Sequence, residues 1–210
     1  MKREFIKTPS NQVSFGFSVG YSELVSAVSG VFILEMKDAT TGEILAQIEK
    51  KNVITRDTSI LAARLFKDHT EPVNGVNMLA VGTGALGAIL SPDAPDARQR
   101  KLNAEISRKT FANVVFRTSA GAVSSVPTNI VDFVTTFSEA EAVGVLNEMG
   151  LLSTKSNLTT EQNYITPYTF PTYDTTVDMT QFDTLVNYIT FAPISKPSTA
   201  VLTITWRLTF

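Results

Sequence analysis

The chain has 210 residues, 43% of them hydrophobic and 18% charged, with a formal net charge of −2 and no cysteine. Disorder of the whole chain is excluded, because it requires low hydrophobicity and high net charge; the length suits one generous domain or two small ones. Lack of cysteine removes disulfides, thiolate metal sites and cysteine nucleophiles. The near-zero charge offers neither the basic face that nucleic acid demands nor a polybasic patch for an anionic membrane.

The first 30 residues read as an N-terminal arm. Glu4, Lys7 and Pro9 interrupt the apolar run that a signal peptide needs. No window of the chain approaches about 18 consecutive apolar residues, so no membrane partner is expected. Within the arm, Phe15, Phe17 and Tyr21 are spaced with Ser and Gly between them. That pattern fits an edge strand with one buried face, or an arm whose aromatic residues contact a neighbouring subunit.

Residues 31–210 read as a single domain dominated by strands. Segments 31–37 and 43–50 form a predicted β-hairpin across Asp38-Ala39-Thr40-Thr41-Gly42, which supplies the Asp and Gly of a short turn. One helix is predicted over 55–66. Thr55 or Thr58 would be its N-cap and Asp57 would sit in its first turn; Leu61 with Leu65, and Ala62 with Phe66, share faces. Further strands are expected at 76–81, 110–118, 130–137, 144–153 and 186–191, with a weaker helical signal at 138–143.

The segment 201–210 alternates most strictly. Leu202, Ile204, Trp206, Leu208 and Phe210 fall on one face, and Thr203, Thr205, Arg207 and Thr209 on the other, as a half-buried strand requires. Many short strands with Gly and Pro between them predict a mainly β protein. The expected fold is an antiparallel, jelly-roll-like β-sandwich with one short helix and an extended N-terminal arm. Two stretches interrupt it: residues 87–101, an exposed loop, and 154–181, a long loop or arm. Loops of such length usually bind something, which makes Tyr164, Tyr168, Phe170 and Tyr173 candidate inter-subunit contacts together with Phe15, Phe17 and Tyr21.

Chemistry finds little support. Gly82-Thr83-Gly84-Ala85-Leu86-Gly87 matches G-x-G-x-x-G, but Pro92 and Pro95 follow too soon for the helix whose N-terminus would hold a pyrophosphate. The glycines read instead as a tight turn with positive φ. The one histidine, His69, follows the predicted helix end and reads as a solvated residue near the helix C-terminus. Asp174, Asp178 and Asp183 fit no calcium-loop spacing. Asn157-Leu158-Thr159 is a glycosylation sequon with no secretory signal beside it. No catalytic, cofactor-binding or metal-binding residue is predicted.

Several segments taken in order carry a resemblance: Lys51-Asn52-Val53-Ile54-Thr55, Met78-Leu79-Ala80-Val81-Gly82-Thr83-Gly84 and Leu102-Asn103-Ala104-Glu105-Ile106-Ser107-Arg108; then Asn147-Glu148-Met149-Gly150-Leu151, Phe191-Ala192-Pro193-Ile194-Ser195-Lys196 and Leu202-Thr203-Ile204-Thr205-Trp206. This series, opened by Thr41-Gly42-Glu43, resembles structural proteins of tailed-bacteriophage virions over residues 41–210. The first forty residues and the stretch near 154–181 depart from the pattern. The resemblance implies a non-enzymatic virion component, made in the bacterial cytoplasm and built as a β-sandwich. A capsid decoration or cement protein is expected; a tail, collar or fibre component and a glycan- or receptor-binding β-module are the alternatives. Its implied partners are other virion proteins, above all the major capsid protein, and further copies of itself in a trimer or dimer.

Overall fold

The computed structural model describes residues 28–67, 75–84, 93–154 and 183–210. Among these residues lie eleven strands and one helix. β1 (Ser29–Asp38) and β2 (Ile44–Lys51) form the predicted hairpin. Its turn closes because Asp38 Oδ1 accepts the Thr40 and Thr41 N–H groups at 2.9 and 2.8 Å, and Gly42 adopts φ +73°. β11 (Ala200–Thr209) lies between β1 and β8 (Ile130–Phe137), antiparallel to both. With β6 (Asn113–Arg117) and β7 (Val123–Ser124), these strands make a six-stranded sheet in the order β2-β1-β11-β8-β6-β7.

The second sheet has five strands in the order β3-β10-β9-β4-β5, again antiparallel. They are β3 (Val53–Ile54), β10 (Thr184–Lys196), β9 (Gly144–Ser153), β4 (Met78–Gly82) and β5 (Glu105–Thr110). The helix α1 (Asp57–Lys67) follows β3 and packs on β10 through buried Leu61. The mainly β, antiparallel sandwich with one short helix is therefore the observed architecture.

Strict alternation in β11 becomes strict alternation of burial, with Leu202, Ile204, Trp206 and Leu208 inside. Trp206 is fully buried and meets Phe32 edge-on, ring centroids 5.4 Å apart, while Phe32 stacks on Phe191 at 5.8 Å. With its amide turned to satisfy its neighbours, Asn52 accepts the Trp206 indole N–H and donates to the Gly30 carbonyl at 3.1 Å. A polar residue of the link between sheets thus closes the polar end of the core aromatic.

Three departures from expectation have identifiable causes. The strand expected over 110–118 is broken at Phe111-Ala112. Thr110 pairs with Met78 in one sheet, whereas Asn113 pairs with Val134 in the other. Phe111 turns inward at this crossing, 4.9 Å from Phe133. No helix forms at 138–143. The Ser138 carbonyl accepts the Glu141 N–H at 3.1 Å in a single turn, and the Ser138 and Glu139 carbonyls also accept from Lys196 Nζ at 2.8 and 3.2 Å. The Ser138 N–H donates to the Glu141 carboxylate at 2.8 Å.

Finally, the stretch expected as an exposed loop at 87–101 is irregular in its described part, but it is exposed only at Asp93 and Ala94, half-buried over 95–98 and buried at Gln99 and Arg100. Gln99, Arg100 and neighbouring Leu102 are buried. Leu102 joins Met78, Ala80, Leu152, Leu185 and Tyr188 in a second apolar cluster on the outer face of the five-stranded sheet. β4 and most of β9 and β10 are consequently buried on both faces.

Candidate functional site

Three of the segments that carry the sequence resemblance meet at one joint, where residues 99–104 are fastened to the five-stranded sheet. Its centre is Glu148 on β9, fully buried. Glu148 accepts the backbone N–H of Asn103 at 3.0 Å and that of Ala104 at 2.7 Å. It also accepts the Tyr188 hydroxyl of β10 at 2.6 Å. Asn103 in turn accepts from Gln99 Nε2 at 3.0 Å and donates to the Tyr188 hydroxyl at 3.4 Å. Burial, and then the charge of Glu148, raise the Tyr188 phenol above its ordinary pKa, so its proton is held as a donor.

The glycines of this joint make room. A Cβ on Gly84 would run into the Glu148 carboxylate and the Ala104 backbone; one on Gly82 would lie 2.6 Å from both the Ala104 carbonyl and Glu148 Oε1. Neither glycine has positive φ. The positive-φ turn read from Gly82-Thr83-Gly84 is thus corrected: close approach, not backbone handedness, requires glycine here. Gly150 serves Leu102 likewise, since its Cβ would lie 3.2 Å from Leu102 Cδ1 and 2.8 Å from the Asn187 carbonyl.

Beside Tyr188 lies a small cavity of about 40 Å³ lined by Asp93, Asp96, Gln99, Asn103 and Thr190. Such a space suits a few waters, each needing roughly 10–15 Å³. Ligand pockets run to several hundred Å³. The chemistry available at Glu148 is therefore that of a clamp: a carboxylate that holds a backbone segment by charge-assisted hydrogen bonds.

The other buried charges are joined in the same manner. Arg108 on β5 donates to Glu105 at 2.5 and 2.9 Å and to Asp183 at 2.7 Å, all three side chains being almost fully buried. Burial opposes the charged guanidinium, but the two carboxylates outweigh it and raise its pKa. Arg100 pairs with Asp57 at the start of α1. Asp57 thus ties the helix to the covering segment, beyond the first-turn role read from sequence. Thr55 spends its hydroxyl on the Leu185 and Val186 carbonyls of β10, and Thr58 donates to Val186 at 2.5 Å.

On the outer face of the larger sheet, Asp132 accepts from Arg207 at 2.7 and 2.9 Å and from Arg117 at 2.7 Å. Burial would raise its pKa, but the two arginines outweigh it and lower the value.

Of the residues singled out in the sequence, Asp183 is placed in the Arg108 cluster. Phe15, Phe17, Tyr21, His69, Asn157, Tyr164, Tyr168, Phe170, Tyr173, Asp174 and Asp178 lie outside the described residues. Among the described residues no group of three or more His, Cys, Asp or Glu could hold a metal ion. No helix among them is long and apolar enough to cross a membrane. Sequence reasoning missed Glu148, Tyr188 and Arg108 as network centres. Apart from Glu105, three residues from Arg108, the partners lie 40 or more positions away, as in Tyr188 with Glu148 and Arg108 with Asp183, so local spacing does not announce them. For Glu148 the available signal was a charged residue inside an apolar strand pattern, between Leu146 and Met149.

The chain matches no protein-family model, and no curated protein matches it significantly.

Proposed function

We propose that the protein is a structural component of a tailed-bacteriophage virion, acting through its surfaces rather than through a reactive pocket. The position favoured is that of a capsid decoration or cement protein, bound to the major capsid protein and to copies of itself. The observation that carries this reading is the convergence of the Ala80–Gly84, Leu102–Arg108 and Asn147–Leu151 segments on the Glu148 joint. What these segments have in common is a mechanical task, locking a covering layer onto a two-sheet sandwich. A rigid body of that kind, whose buried charges are spent on internal pairs, suits repeated docking in a symmetric assembly.

The alternative within the virion is a tail, collar or fibre position. Against a glycan-binding module stands the burial of Trp206, the sole tryptophan, which removes it as a stacking platform. Absolute quantitation of this chain in purified particles of the phage that encodes it is the test. On the order of hundreds of copies support the capsid position, as the symmetry of a shell implies. A few dozen or fewer support the tail or collar, and absence from the particle refutes the virion assignment.

A further inference from the structure

We propose that the groove beside α1 is the seat of the chain's own N-terminal segment, received through the apolar residues that alternate from Val13 to Tyr21. α1 carries one broad apolar stripe. At one edge Leu61 is turned into the protein, but Ala62, Leu65 and Phe66, spaced three and four residues apart, line an open groove of about 760 Å³. Leu65 is 42% and Phe66 93% exposed, and Phe210, 52% exposed, stands on the groove's other wall. Isolated exposed apolar residues need no explanation, but several of them gathered round one concave apolar surface do.

The choice of occupant rests on connectivity and sequence. Val28, itself a lining residue, is where residues 1–27 join the described chain. That segment contains Val13, Phe15, Phe17, Val19 and Tyr21 alternating with Ser14, Gly16, Ser18 and Gly20, and no charge falls between 13 and 21. Five apolar side chains on one edge of an extended segment match an apolar trough, and the small residues between them let its backbone approach closely. Reach is sufficient: the seven residues from Tyr21 to Val28 span up to roughly 23–25 Å. Tethering at the groove's rim gives an effective concentration on the order of millimolar, so the chain's own segment outcompetes a second copy at ordinary concentrations. The inference is independent of the virion assignment.

Hydrogen exchange on the full chain, read by mass spectrometry at low and high protein concentration, tests it. Amides of residues 13–21 should exchange at least about tenfold more slowly than in a free peptide of that sequence, equally at both concentrations. A Leu65→Ser/Phe66→Ser variant should abolish this protection while the amides of β8 and β11 stay protected, which verifies the fold. Conversely, Phe15→Ser/Phe17→Ser should raise binding of an apolar dye to the opened groove. Peptide-like exchange in the wild type, unchanged protection in the groove variant, or unchanged dye binding overturns the proposal. So does protection that appears only at high concentration, which would make a second copy the occupant.

Discussion

Replacing Glu148 by alanine is the sharpest probe of the joint. The substitution leaves three donors without their acceptor: the Asn103 and Ala104 N–H groups and the Tyr188 hydroxyl. An unsatisfied buried donor costs roughly 1–3 kcal/mol. A water entering from the cavity beside Tyr188 can re-satisfy one of them. Two unsatisfied donors and a vacated side-chain volume remain, giving a loss of about 3–5 kcal/mol, a large share of the 5–15 kcal/mol typical of a domain. Glu148→Gln retains one oxygen and should lose about 1–3 kcal/mol. Urea unfolding followed by Trp206 fluorescence measures both, with the midpoint falling and the slope unchanged. A folded Glu148→Ala protein within about 1 kcal/mol of wild type would refute the clamp.

Three further outcomes follow from the packing and the charges. Trp206→Ala should cost about 3–5 kcal/mol, because it empties the centre of the core and strands Asn52, and a thermal shift near zero contradicts it. Gly150→Ala should lose about 1–3 kcal/mol by overpacking against Leu185 and the Asn187 carbonyl, measured by the same urea titration; no loss would mean that the covering segment yields freely. The folded-state pKa of Asp132 is lowered below its unfolded value, near 3.9. Its contribution to stability is therefore complete above that unfolded value and is lost as pH falls through the folded one. Asp132→Asn should flatten the acid limb of a urea-midpoint-against-pH curve, and an unaltered limb would show that the Arg117 and Arg207 pairs do not couple to folding.

Where one face of a strand is wet and the other dry, period-two alternation was enough to read it, as in β1, β8 and β11. β8 and β9 fall where expected because turn residues bracket them. The central strands of the smaller sheet are dry on both faces, so alternation vanishes there, and β10 extends past its predicted ends because two bulges keep it paired with β9 across register shifts. β5 was unreadable because its Arg108 and Glu105 look like surface charges until Asp183, distant in sequence, is brought against them. The covering segment looked exposed for the same reason: Gln99 and Arg100 are buried only because Asn103 and Asp57 meet them. The joint itself was half legible. Its glycines, its Asn-Ala pair and its Asn-Glu pair were visible as segments in order, but their meeting is a product of the fold.

The central claim, that this sandwich acts by occupying a fixed place in a virion, is tested most directly by a cryo-electron map of the intact particle. The prediction is density for a two-sheet body with one helix, seated against capsid subunits and repeated by the symmetry of the shell. Particles purified to homogeneity with no such density at shell or tail would contradict it.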